Sequence, residues 1–356
     1  MKRRELLIRS GAVMAGGLIA ACGGAAAPAA KATAAIASAS AKAVATATPT
    51  PTKETIGYVS VSAANSVVWS AYDGGFFTKY GIEATLDGIA DSTQAVAALL
   101  SGQVPINCGL SGTAVVGADL KGNADLTVIA TSVGTFPNSL YVQPSVTSVA
   151  QLRGKKVGVT RLGTASDTAA QIALKSGGLT QKDVQWIQTG GLNQTVAALK
   201  AGQIEAGSLS PPETLIARNL GMKELVDVGS LGVEYVYNGV IISRAFGEKN
   251  HDLILNLLRA LLEGEHRFRT DATFGKQVIT THTKLKDPAQ LEETYSDFAK
   301  KYLAWPPFPT QKALQTVIDQ LAVLRPEAKG ADPKKFYDDS YLNTLKASGF
   351  ISKLGG

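Results

Sequence analysis

The chain repeats itself once, at a spacing of 100 residues. Residues 94–103 read QAVAALLSGQ and residues 194–203 read QTVAALKAGQ, identical at seven of ten positions. The echo extends outward. Ile56-Gly57-Tyr58-Val59 pairs with Val157-Gly158-Val159-Thr160, and Asp73-Gly74-Gly75-Phe76 with Ser176-Gly177-Gly178-Leu179. Ile82 to Leu86 pairs with Val184 to Gln188, and Ser111-Gly112-Thr113 with Ser210-Pro211-Pro212. A period this long lies outside the range of solenoid repeats and implies two similar domains. The length of 356 residues leaves room for both, each with its own core.

Both copies have the same order of elements. A short strand (Ile56–Val61; Lys156–Thr160) leads through a small polar loop into a helix that ends at Gly-Gly. A second strand follows, then a helix through Val96–Leu100 or Val196–Lys200 closed by Gly102 or Gly202, then a third strand (Val104–Cys108; Ile204–Ser208). Strand–helix–strand alternation predicts an α/β fold with mostly parallel sheets, right-handed crossovers and helices on the faces. Ligands bind such sheets outside the carboxyl ends of the strands, so two facing lobes enclose a cleft. Leu126–Thr131 reads as a further strand of the first lobe, Pro144 and 147–152 open the second, and Val233 to Ser243 returns. Asp252–Arg269, Pro288–Leu303 and Pro309–Leu324 have helical spacing. The first lobe is therefore expected from 54–142 plus 238–356 and the second from 143–237, with two crossing strands near 140 and 238 as a hinge.

The first 53 residues are of another kind. Residues 1–10 are basic, and 11–21 are small and apolar, too short to span a bilayer. Leu18-Ile19-Ala20-Ala21 before Cys22 resembles a bacterial lipobox, which implies cleavage and acylation of Cys22. A plain secretory signal is the alternative, and Arg3-Arg4 leaves open the Sec or the twin-arginine route. After Cys22, residues 23–53 are mostly Ala, Thr, Ser, Pro and Gly with a few Lys and almost no large aliphatic residue, a composition that cannot offset its ordering entropy, so 22–53 reads as a disordered tether. The net charge of +6 resides here: residues 1–21 and 22–53 carry +3 each, and the remaining 303 balance 28 bases against 28 acids. A nucleic-acid partner would require basic charge on the folded body, so none is expected. Cys108, alone once Cys22 is acylated, reads as a buried inert thiol.

The motifs Trp69 to Gly81 (WSAYDGGFFTKYG), VAALLSGQV, Leu152 to Thr164 (LRGKKVGVTRLGT) and VAALKAGQIEA with Pro211-Pro212 resemble one family. It is that of the solute-binding lipoproteins of bacterial ABC importers of the nitrate, sulfonate and taurine type, related to pyrimidine-precursor proteins of thiamine synthesis. The resemblance spans residues 56 to about 265. It implies a two-lobed Venus-flytrap fold (the type II periplasmic-binding-protein fold), closure around one small molecule, delivery to a membrane permease, a monomer, and a place on the outer face of the cell membrane. The pyrimidine-synthesising branch is Cys-rich and uses its own His. This body has one Cys and three scattered His, which speaks against that chemistry here.

The loops after the strands are rich in Ser, Thr, Asn and Gly, and each precedes a helix whose free N–H groups suit an anionic head group. The resemblance favours Ser62, Asn65, Ser111 and Thr113 in the first lobe and Thr164 and Ser166 in the second; simple N-capping is the alternative role for each. Arg161 suits a carboxylate, sulfonate or phosphonate, or else a solvated surface. Glu213 suits an amine or ring N–H, or else the helix dipole. Tyr235, Tyr237 and Asn238 lie near the hinge, placed to stack on or bond a flat ligand or to pack the crossing strand. No nucleophile elbow, zinc-protease motif or phosphate loop is present; catalytic residues, metal and cofactor are therefore not expected. The expected function is solute capture, with a pyrimidine-precursor enzyme or a sensor for a membrane kinase as alternatives. A small anionic molecule is favoured, and a pyrimidine or flavin-like ring is also compatible.

Overall fold

The structure is a computed structural model that describes residues 51–122 and 124–355. The expected signal segment, Cys22 and all but the last residues of the tether lie outside the described residues.

Ten strands form two sheets. They are β1 (Thr52–Val59), β2 (Ile82–Ile89), β3 (Ile106–Leu110), β4 (Leu126–Val133), β5 (Ser139–Val142), β6 (Lys156–Val159), β7 (Gln185–Gln188), β8 (Ala206–Leu209), β9 (Lys223–Asp227) and β10 (Asn238–Ser243). The first sheet has the order β2-β1-β3-β10-β4 and the second β7-β6-β8-β5-β9. In each, four strands run one way and one runs against them: β10 in the first, β5 in the second. The antiparallel strand of each lobe is the one that has just crossed over from the other. This is the two-lobed α/β architecture expected from the repeat.

Two boundaries move. The tether was expected to run to residue 53, but Thr52 and Lys53 already pair with Ile82 and Glu83 in the first sheet. The first lobe was expected to extend to 142, whereas β5 is paired to β8 and β9 of the second sheet, Ser139 opposite Leu209 and Asp227. The first crossing is therefore 134–138 and the second 228–237. The two run side by side: Tyr237 N–H donates to Val133 O, Tyr235 N–H to Gly134 O and Val228 N–H to Asn138 O. The short run Ser139–Val142 has the same apolar pattern whichever sheet receives it, so only its long-range pairing decides.

Local sequence sets the helix ends. Asp91 accepts from the N–H groups of Thr93 and Gln94 and starts the helix Ser92–Ser101. Gly102 and Gly202, at φ 74° and 65°, close the two copies of that helix in the left-handed region. One core buries Trp69 and Phe77 against Leu258 and Phe268 of the long helix His251–Thr270. A second runs from Leu110 and Val128 in the first sheet, through Phe136, Tyr235 and Val236 in the crossings, to Val157, Leu174 and Ala206 in the second. The helix Gln311–Leu324 adds Leu314, Val317 and Ile318 to it. The hinge thus lies inside a continuous apolar core. No helix among the described residues is long and apolar enough to cross a membrane.

Candidate functional site

Both crossings join the carboxyl edges of the sheets. The β4 end at Val133 pairs with Asn238, and Asp227 at the end of β9 pairs with Ser139. Five crossing residues span at most about 17 Å. The loops that follow β1, β3, β6 and β8 are therefore gathered around the hinge.

In the first lobe these loops form two clusters. Asn65, buried, donates its amide to Val59 O at 3.1 Å and Ser60 O at 3.0 Å. Asn238 in turn donates to Ala64 O at 3.1 Å and Asn65 Oδ1 at 3.0 Å. Ser62 Oγ accepts from Ala64 N–H at 3.3 Å, a capping contact that leaves its own proton free. Asn65 and Asn238 are brought together, but they spend their polar groups on each other and on the backbone. In the second cluster, Ser111 and Thr113 share a hydrogen bond of 2.9 Å at the start of the helix Gly112–Gly122, and Gly112 N–H donates to Val236 O at 2.8 Å. Tyr235 lies beside them, stacked on Phe136 at 4.2 Å. Burial pushes its hydroxyl well above the ordinary range, partly offset by a hydrogen bond with Thr113. Tyr237 is edge-on to the same Phe136, and burial pushes it up to about 12.

In the second lobe, three hydroxyls meet at the start of the helix Ala165–Ser176. Thr160 Oγ1 lies 3.0 Å from Thr164 Oγ1 and 2.8 Å from Ser166 Oγ, while Ser166 Oγ accepts from Thr160 N–H at 2.9 Å. Arg161 is exposed beside them and makes no ion pair among the described residues. Glu213 begins the helix Glu213–Asn219; burial pushes its carboxyl above the usual range, with no cationic partner to oppose it. Cys108 is buried, and burial pushes its thiol up. Among the described residues, no group of three or more His, Cys, Asp or Glu is placed to hold a metal ion.

Two participants were missed. Thr160 closes the hydroxyl triangle from the end of β6, where its partner in the repeat, Val59, carries no hydroxyl. Gln320 accepts from Tyr235 Oη at 2.6 Å and donates to Thr168 Oγ1, tying the first lobe's helix Gln311–Leu324 to the hinge and to the second lobe. Thr168 Oγ1 also donates to Thr164 O at 3.2 Å. The place of Thr160 at the head of the Ser/Thr-bearing loop after β6 signals it; nothing in the local sequence signals Gln320.

Known proteins share this architecture. A protein of Brucella abortus named "putative binding protein" is 27% identical over 240 residues, 67% of this chain and 73% of its own length. The riboflavin-binding protein RibY of Chloroflexus aurantiacus is 30% identical over 156 residues, 43% of this chain and 44% of its own. Among solved structures, the periplasmic aliphatic sulphonate binding protein SsuA of Escherichia coli aligns at a TM-score of 0.68 with 20% identity, covering 82% of this chain and 99% of that one. The desulfurization enzyme DszB aligns at 0.61 with 14% identity, covering 83% and 99%. These likenesses show the two-lobed fold, which carries both binding proteins and an enzyme. The NMT1/THI5-like family model matches residues 65–270, more than half of the chain. The chain belongs to the NMT1/THI5-like family.

Proposed function

We propose that this chain is an extracytoplasmic solute receptor of an ABC importer, closing its two lobes around one small polar molecule and presenting it to a membrane permease. The observation that carries the reading is the pairing of two hydroxyl clusters across one hinge: Ser111–Thr113 at the start of one helix, Thr160–Thr164–Ser166 at the start of another. Hydroxyls and free N–H groups at helix starts bind an anionic or polar heteroaromatic group without the desolvation cost of a fixed cation. Contacts made in both lobes favour the closed state over the open one. Arg161 adds the one exposed cation of the second-lobe loop, and Ser62 the free hydroxyl of the first. Asn65 and Asn238 hold that first loop in place. Glu213 and the Tyr235 ring border the same edge. The strand-end loops hold no Cys or His, which favours capture over nucleophilic or acid–base chemistry. The relatives named for binding support the same reading, and sulfonate, nitrate, pyrimidine and flavin-like ligands are the classes to test. Acylation of Cys22 would hold the receptor, a monomer, on the outer face of the cell membrane.

The test is a thermal-shift screen of the full-length protein against taurine, alkanesulfonates, nitrate, pyrimidines, riboflavin and amino acids. A ligand that binds only the folded state at a hundredfold excess over Kd stabilises it by about 2.7 kcal/mol. One class should raise the melting temperature, and Thr164→Ala with Ser166→Ala should abolish the rise. A cooperative melt unmoved by every class would count against solute capture of these kinds.

A further inference from the structure

A concave region borders the hinge, with Ser139 at the end of the first crossing and Thr214, next to Glu213, in its wall. A cavity of about 430 Å3 opens between the β5–β9 edge of the second lobe and the C-terminal helix Pro288–Asp297 with the π-helical turn Phe298–Tyr302. That size falls in the range of small-molecule sites. None of the strand-end hydroxyls described above lines it.

Its wall carries the hydroxyls of three otherwise buried residues, Ser139 (3% exposed), Tyr141 (1%) and Tyr302 (4%). None makes a hydrogen bond within the described chain, and their oxygens are left open to the cavity rather than enclosed. Around them stand four carboxylates, Glu224, Glu292, Glu293 and Asp297, against two lining cations, Arg218 and Lys301. Glu293 is held by Arg218 and by Thr214 Oγ1 at 3.0 Å, Asp297 by Lys301 at 2.9 Å, and Glu292 by Lys276 outside the cavity. Glu224 has no ion-pair partner among the described residues. Beside the cavity, Asp227 Oδ1 is buried and takes no hydrogen bond. Three of the four carboxylates are paired, so the negative surplus is Glu224 in the wall and Asp227 beside it, and the acids are not clustered as a metal would require. Two spaced anions suit an extended cation better than a point charge.

We propose that this cavity is a second ligand site, for a small aliphatic amine. Its ammonium groups answer Glu224 and the acidic rim, and its N–H groups donate to Tyr141, Ser139 and Tyr302. Burial and the neighbouring carboxylates Glu224, Glu293 and Asp297 raise the proton affinity of Tyr141, so its hydroxyl stays neutral and able to accept. The walls come from both lobes, so an occupant also bridges them.

The probe is putrescine, titrated calorimetrically into the full-length protein at pH 7.5 and low salt. Saturable one-site binding is expected. Glu224→Gln, at an exposed position that leaves the fold intact, should weaken it at least tenfold, and Tyr141→Phe, which keeps the ring, about fivefold. Thr164→Ala should leave it unchanged, which separates this site from the strand-end loops. The proposal is overturned by an absence of saturable heat, by equal affinity in Glu224→Gln and Tyr141→Phe, or by loss of binding in Thr164→Ala.

Discussion

Asn238 donates its side-chain amide to Asn65 Oδ1 over 3.0 Å, and both side chains are buried where the returning crossing meets the end of β1. Asn65 spends its own amide on Val59 O and Ser60 O, so it braces the loop that carries Ser62. Asn65→Ala strands these acceptors without a donor and should cost about 2 kcal/mol. Asn65→Asp should cost at least as much, because it turns an anion toward two carbonyls. Urea denaturation should show a lowered midpoint with an unchanged slope.

The Gln320 bridge makes a second prediction. Its amide joins Tyr235 to Thr168 across the two lobes. A double-mutant cycle between Gln320→Ala and Thr168→Val should return a coupling of about 1 kcal/mol. A coupling of zero would show that the bridge is not formed in solution.

Glu265 sets a pH dependence. It is 1% exposed, both of its carboxylate oxygens lack hydrogen bonds, and Arg269 lies 3.8 Å away. Burial pushes its carboxyl up to about 8, with Arg269 opposing the shift. Between the ordinary carboxylate range and about pH 8, the folded state holds a proton that the unfolded state has released. Stability therefore falls as pH rises through that window, by up to about 1.4 kcal/mol per unit from this group. Glu265→Gln should flatten the profile. Melting temperatures of both proteins from pH 5 to 8 check the sign: the gap should widen in favour of the variant as pH rises.

The two lobes should respond unequally to one change. Gly57 and Gly158 occupy equivalent positions in β1 and β6. A Cβ on Gly57 would sit 2.8 Å from both Asn107 Nδ2 and Val104 Cγ1; on Gly158 it would sit 2.5 Å from Ile204 Cδ1. The Ile204 terminus can rotate away, whereas Val104 is stiff at χ1. Gly57→Ala should cost about 1–3 kcal/mol and Gly158→Ala less, with Ile204→Val relieving the latter. Denaturant midpoints of the three variants decide it.

The same glycines show how far the sequence reached. They stand in the repeat where the residue just before the third strand, Val104 or Ile204, packs over the glycine of the first strand in each lobe. The succession of strands and helices along the chain, the helix ends at Gly102 and Gly202, and the Ser/Thr loops were legible because each depends on residues within a few positions of one another. The lobe to which Ser139–Val142 belongs was not, because a short apolar run pairs equally well with either sheet until Leu209 and Asp227 arrive beside it. Gln320 was invisible, since a glutamine on an amphipathic helix announces no partner 152 residues away. The cavity beside Tyr141 depends on helices that the chain reaches long after β5. Periodicity and turn chemistry belong to the sequence; which buried polar groups find partners, and which are left facing a cavity, is settled only when distant segments pack.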